Sequence, residues 1–167
     1  MVVWRNGKLL NPMEILVDDT NHSVISEEAM AVNKIDLAAH SHLSVSLDTA
    51  KADFFGYLSD NLSSTRRIVV GGHNVAFDIG FLRAGVISPD EWEDRFQHRV
   101  VDTSVILRFL YHSGILRSDV GSLDNALKFF GFPEVEGRRH TAMGDAVDTA
   151  KLYNRLLQRV VTNVRGS

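Results

Sequence analysis

The sequence predicts an α/β fold, in which strands come first and then alternate with helices. Three observations support this class. The Asn6-Gly7 dipeptide separates two short apolar runs, which is a strong signal for a β-hairpin. The run 66–72 combines β-branched residues with closing glycines, which is typical of a strand that ends in a turn. Apolar residues at a spacing of three to four predict a long helix over 142–161.

The remaining elements are predicted in order along the chain. After the hairpin we expect a strand over 13–17, a helix over 26–32, a connector over 35–46 and an amphipathic helix over 47–62. The strand at 66–72 is followed by a helix over 76–85, a strand at 100–101, a helix over 104–111, and a helix over 123–130 capped by Ser122 and stopped by Gly131. No repeat or linker interrupts this order, so we expect a single domain over 1–167.

Composition narrows the classes of function. The 167 residues carry a net charge of −3, which argues against a long basic groove for duplex nucleic acid but allows an enzyme that binds a strand end. The absence of cysteine excludes disulfides and thiolate metal sites. There is no run of 18 apolar residues and no apolar leader at the N-terminus, so we expect no membrane association and a cytoplasmic location.

The first stretch with chemical character runs from Gly71 to Leu82. A strand ends in glycines there, and Asp78 follows near the start of a helix, where the active sites of open α/β sheets lie. The alternative is that Asp78 only complements the helix dipole while His73 and Asn74 cap the helix.

The second stretch runs from Arg138 to Ala146. His140 precedes Asp145 by five residues across a predicted helix start, so both side chains can face one pocket. A neutral imidazole suits a general base and a carboxylate suits Mg²⁺, which favours His140 as base and Asp145 as ligand. The alternative is helix capping, with Thr141 as the N-cap. Asp102, at the end of a predicted strand, is expected to be an N-cap or hydrogen-bond partner more than a ligand.

Together these stretches resemble the DEDDh family of 3′→5′ exonucleases, which includes proofreading subunits of bacterial DNA polymerase III and ribonuclease T. The segment 73–82 is similar to the second motif of that family and 140–145 to the third, and Asp102-Thr103 matches a pair that often lies between them. The resemblance implies a ribonuclease H-like mixed sheet flanked by helices, with two Mg²⁺ or Mn²⁺ ions.

The resemblance also implies roles for single residues. Asp78 and Asp145 would be metal ligands, and His140 would deprotonate the attacking water. Four residues, which are His73, Asn74, Phe77 and Arg139, would lie near the terminal nucleotide, and Asp102 would lie behind the ligands. The substrate would be the 3′ end of single-stranded nucleic acid, with release of nucleoside monophosphates. DNA is the expected substrate, although no contact to a 2′-hydroxyl can be placed to separate it from RNA.

The chain departs from the family at its start. The Asp-x-Glu motif of the family ends a central first strand, and nothing in residues 1–10 supplies that motif. We therefore expect one metal ion or none, impaired activity, and a missing strand whose place a homodimer or a complementing strand would fill. The hypothesis that follows is a gene model that begins too late. The competing hypothesis is a non-catalytic module of the same fold that binds nucleic acid or a partner.

Overall fold

The structure, a computed structural model, describes residues 1–18, 37–62, 66–134 and 141–165. The described elements are β1 (Val3–Arg5), β2 (Lys8–Leu10), α1 (Leu37–Leu43), α2 (Leu47–Asn61), β3 (Ile68–Gly72), α3 (Val75–Phe81, continued by a π-helical turn over Leu82–Val86), α4 (Pro89–Arg95), β4 (Phe96–Asp102), α5 (Thr103–His112), α6 (Leu123–Phe129) and α7 (Ala142–Arg165). They fall into two compact units. The larger unit combines Met1–Pro12 with Arg66–Ser167, and the smaller unit is Met13–Thr65.

The predicted hairpin is confirmed as an antiparallel β1–β2 pair in the larger unit. Asn6 and Gly7 both have positive φ, 50° and 81°, which is the backbone conformation that a tight hairpin turn requires. The hairpin is held on α7 through Asn154. The Trp4 indole N–H donates to the Asn154 side-chain carbonyl, and the Asn154 amide donates to the Gly7 carbonyl at 2.9 Å.

The other described sheet of the larger unit is a parallel pair, β3 and β4, whose register ends at Gly72 opposite Asp102. Parallel strands are usually buried on both faces. Here Val69 and Val100 are instead 46% and 43% exposed, so the described pair is not buried on both faces. The described strands form two separate two-stranded sheets, and a ribonuclease H-like mixed sheet stays a prediction.

Burial of apolar side chains holds α5, α6 and α7 together. Their shared core is formed by Leu107, Leu116, Val120, Ala126, Leu127, Phe130, Leu152 and Leu156. Leu152 and Ala126 are completely buried. This core fixes α7, which also packs against β3 and so runs beside the carboxyl end of the parallel pair.

The smaller unit contains α1 and α2. Ser46 caps α2 as its side chain accepts from the backbone N–H of Thr49 at 3.2 Å. Val17 forms an isolated parallel bridge with Val45, and the His40 ring bonds the Val17 carbonyl at 2.9 Å.

Several element predictions need correction. The segment 13–17 is not a strand, because its described pairing is limited to the bridge at Val17. The expected connector contains helix α1, and α4 has no counterpart among the predictions. The sequence does contain a signal for α4, which is a capping box. Ser88 and Glu91 satisfy each other's backbone N–H groups, and Pro89 is the first helical residue. The helix predicted over 26–32 lies outside the described residues. Within the described ranges, no helix is long and apolar enough to cross a bilayer.

Asn154→Ala is expected to destabilise the larger unit, because it leaves the Trp4 indole and the Gly7 carbonyl without their partner. Each of these two hydrogen bonds contributes about 0.5–1.5 kcal/mol, so their joint loss corresponds to roughly 2–10 °C in the unfolding midpoint of a chain of this size. Thermal unfolding followed by circular dichroism measures the change. Asn125→Ala, at an exposed helical asparagine, is the matched control. Equal midpoints for the two variants would contradict the anchoring role of Asn154.

Candidate active site

Asp78 lies in the first turn of α3, immediately beyond the carboxyl end of β3. The chain turns sharply there, since Asn74 adopts the left-handed conformation with φ 65°. Asparagine tolerates this region better than most residues. Gly72 allows the same turn, because a Cβ at this position would lie 2.8 Å from the Val75 side chain. The local sequence therefore presents the Asp78 carboxylate to solvent at the sheet edge.

Asp145 lies in the first turn of α7, which begins at Ala142. Thr141 caps this helix by accepting from the Gly144 N–H at 3.0 Å, as the capping alternative predicts. The cap leaves Asp145 available for another role. Its Oδ1 atom is buried and has no hydrogen-bond partner among the described residues. A buried carboxylate oxygen without a donor is costly and indicates an absent positive or hydrogen-bonding group.

The two carboxylates lie within electrostatic reach of each other. Partial desolvation raises the pKa of the Asp78 carboxyl, and its own backbone hydrogen bond lowers this pKa to a smaller extent. The negative charges of Asp102 and Asp145 raise the same pKa further. Asp102 and Asp145 thus lie close enough to Asp78 for the three carboxylates to share one negative region.

Asp102 has a different environment from the other two carboxylates. Its Oδ1 accepts from Asn74 N–H at 3.0 Å and from the backbone and hydroxyl of Ser104 at 2.9 and 2.8 Å, and its Oδ2 accepts from Val75 N–H at 3.0 Å. Desolvation is the largest single influence and raises the pKa of Asp102. The four hydrogen bonds together outweigh it and leave that pKa below its usual value. Asp102 therefore caps α5, as expected, and also holds the start of α3.

His73 is engaged within the chain through both ring nitrogens. Nδ1 lies 2.9 Å from the Thr103 hydroxyl, and Nε2 lies 2.8 Å from the Gly121 carbonyl. Thr103 itself is buried and also donates toward the Gly72 carbonyl at 3.1 Å. The sequence alone gave no role to Gly121. The position of Thr103 directly after a strand-ending Asp is the signal that could have marked it as a buried hydrogen-bonding residue.

Phe77 and Phe81 form an exposed aromatic pair on α3. They are 64% and 67% exposed, and their ring centroids lie 4.9 Å apart. An open groove of about 570 Å³ lies beside them and is lined by Val75, Ala76, Ile79, Gly80, Arg83, Val100, Asp102 and Val105. Asp78 and Asp145 do not line this groove, so the pair of carboxylates and the groove are separate features.

Two predicted site residues, His140 and Arg139, lie outside the described residues. Within the part of the chain that the structure describes, no three His, Cys, Asp or Glu side chains are arranged to hold a metal ion. The oxygen donors present suit a hard divalent cation in kind, and the unpartnered Oδ1 of Asp145 fits such a ligand. Among the described residues, the oxygen donors available for such a cation are the carboxylates of Asp78 and Asp145.

Comparison with known proteins finds a relative of low sequence identity. The chain is 26% identical over 140 residues to a ribonuclease T of Buchnera aphidicola subsp. Cinara cedri, which covers 82% of this chain. The chain spans 60% of the length of that relative. No protein-family model matches the chain, and no solved structure matches it. The similarity suggests a nuclease-type function and accords with the mixed helix and strand content of the structure.

Asp78→Asn is expected to raise the unfolding midpoint slightly at pH 7 in the presence of a chelator. Because the folded pKa of Asp78 is raised, its ionised form costs stability. The cost begins as pH rises through the usual value of 3.8 and is complete above the raised folded pKa. Water screens this exposed group, so we expect about 1–2 °C. Asp53→Asn, at an exposed aspartate of α2, is the control. A lower midpoint for Asp78→Asn at pH 7 would contradict this account.

Proposed function

We propose that the chain is a divalent-cation-dependent 3′→5′ exonuclease domain that acts on single-stranded nucleic acid ends, with an activity limited by its small number of carboxylates. The observation that supports it most directly is the buried, unpartnered Oδ1 of Asp145 beside the raised-pKa carboxyl of Asp78. The similarity to a ribonuclease T supports the nuclease class.

The proposed roles follow from the chemistry of each group. Asp78 and Asp145 hold the cation, which when bound acts as a Lewis acid on the phosphodiester. Asp102 keeps the region negative without binding the cation, because its oxygens already accept four hydrogen bonds. His140 is assigned as the general base that takes a proton from water, on sequence grounds. Arg139 is assigned to phosphate, which a guanidinium binds bidentately.

Two carboxylates limit what this site can do. Two cations held close together need more negative charge than Asp78 and Asp145 provide, so we propose one ion at most. One ion would supply less positive charge to the phosphodiester than two would, so we expect slow turnover. We also propose that His73 is not a substrate contact, because both of its ring nitrogens already have partners.

Titration calorimetry with Mn²⁺ tests the cation site. We expect one site with a Kd of about 0.1–1 mM, as for weakly charged oxygen sites. Asp145→Asn should abolish the binding. Asp148→Asn, one turn further along α7 and paired with Lys151 at 3.8 Å, is the matched control and should leave it unchanged. No binding by the unaltered chain would overturn the cation site.

The same variants separate slow catalysis from none. Release of mononucleotides from end-labelled single-stranded DNA and RNA, measured with Mn²⁺, should be slow and should depend on Asp145. Fast release that Asp145→Asn abolishes would retain the site and overturn the proposed limitation of activity. Release that is unchanged by Asp145→Asn would contradict the nuclease proposal for this site.

A second candidate function is a non-catalytic module that binds single strands. The exposed Phe77–Phe81 pair favours it, since bases stack on exposed aromatic rings without sequence preference. This module would need no cation, so binding in a chelator distinguishes it from the enzyme.

Phe77→Ala is expected to weaken binding of a fluorescent single-stranded oligonucleotide by about 5- to 100-fold, because stacking contributes about 1–3 kcal/mol per base. Fluorescence anisotropy at fixed salt measures it, with DNA and RNA of the same sequence. Phe129→Ala, at an exposed phenylalanine of α6, is the control. Equal affinities for the two variants would contradict a stacking role of Phe77.

A further inference from the structure

The ends of the two parallel strands are joined by hydrogen bonds that run in both directions. His73, directly after β3, bonds Thr103, directly after β4, with Nδ1 and Oγ1 2.9 Å apart. Asp102, the last residue of β4, accepts from the backbone N–H groups of Asn74 and Val75, each at 3.0 Å. We call these reciprocal hydrogen bonds the strand-end clamp. Its side chains and backbone groups belong to His73, Asn74, Val75, Asp102 and Thr103.

The hydrogens of the His73 ring can be assigned from its partners. A carbonyl only accepts, so Nε2 carries the hydrogen that it donates to Gly121. In the neutral ring Nδ1 is then an acceptor that faces the Thr103 hydroxyl. The single hydrogen of that hydroxyl is shared between Nδ1 and the Gly72 carbonyl, which lies 3.1 Å away. The Gly121 carbonyl therefore selects the Nε2–H tautomer of His73, and neither ring nitrogen is left for a substrate.

The backbone ladder alone gives this part of the sheet little support. β3 and β4 are the two described strands of this sheet, and a sheet of two strands is marginally stable. The register of the pair also shifts between Ile68 and Val70. Val69 and Val100 are substantially exposed, so side-chain burial adds little at these positions. The clamp acts where the ladder ends, at Gly72 and Asp102, and so opposes fraying at the point where α3 and α5 begin.

We propose that His73 and Thr103 are positioning residues, which hold the start of α3, and with it Asp78, in place relative to Asp145. Asp78 follows Asn74 by one helical turn, and α7, which carries Asp145, packs against β3. Cation ligands must be held within about 0.5 Å of their working positions. The inference rests on the proposed cation site and assigns its support to a pair of residues outside it.

Thr103→Val and Thr103→Ser test the clamp. Valine keeps the shape of the side chain and removes the hydroxyl, while serine keeps the hydroxyl. We expect Thr103→Val to weaken Mn²⁺ binding by about 10-fold or more, as for residues that orient ligands, and Thr103→Ser to restore affinity to within about twofold of the unaltered chain. Calorimetry gives the Kd, and nitrogen NMR of His73 reports its tautomer.

A stability control is needed because Thr103 is buried. Ser88→Ala removes the capping box of α4 and should lower the unfolding midpoint while leaving the Mn²⁺ Kd unchanged. The inference is overturned if Thr103→Val binds Mn²⁺ like the unaltered chain, if Thr103→Ser is as weak as Thr103→Val, or if Ser88→Ala loses affinity equally.

Failure of the cation site can be told from failure of the clamp. If the unaltered chain binds no Mn²⁺, the proposed function fails, and the His73 ring still reports on the clamp. A single Nε2–H tautomer that Thr103→Val disturbs would support the hydrogen-bonded pair. An unchanged nitrogen spectrum in Thr103→Val would show that the pair does not form and overturn the inference.

Discussion

One carboxylate, that of Asp102, joins the ends of β3 and β4 to the helices α3 and α5 that follow them. Asp102 ends β4, caps α5 through Ser104, and accepts the first backbone N–H groups at the turn into α3. A charged acceptor with several donors is worth more than neutral hydrogen bonds of the same length. The parallel sheet has only two described strands. The Asp102 side chain therefore supplies hydrogen bonds between strand ends, a connection that further strands provide in larger sheets. The direction of α3, and hence the position of Asp78, depends on it.

Three nearby aspartates, Asp78, Asp102 and Asp145, have different environments, and these environments favour different roles. Hydrogen bonds lower the pKa of Asp102, whereas desolvation and like charges raise the pKa of Asp78. Asp145 keeps a buried oxygen without a described donor. Acidic groups whose surroundings differ in this way commonly divide structural and chemical work between them. Asp102 is stabilised by its partners, while Asp78 and Asp145 carry charge that the described protein does not compensate. A cation would supply that compensation, which is the physical reason for proposing a cation site here in preference to a simple pair of helix caps.

The sequence predicted the fold best where local backbone chemistry dominates. Asn6-Gly7 predicted the hairpin, and Ser122 caps α6 by accepting from Asn125 at 3.3 Å, with Gly131 at φ 72° ending that segment. Prediction failed where local signals were weak or misleading. The apolar run at 13–17 has the composition of a strand, but a strand forms only when a partner supplies hydrogen bonds, and the described structure gives this run a single bridge, at Val17. Helix α1 was not predicted because its seven residues are too few to show a clear apolar period.

By itself, the sequence determined the order of strands and helices after residue 66, with the exception of α4, and the placement of Asp78 and Asp145 at helix starts, because strand-ending glycines, caps and helical spacing are local properties. Only the tertiary structure decided which aspartate is saturated with hydrogen bonds and which is not, that both nitrogens of His73 are occupied, and that Phe77 and Phe81 face solvent. These properties depend on partners far along the chain. His73 bonds Thr103 and Gly121, 30 and 48 residues away, and no spacing rule within one segment can encode such contacts.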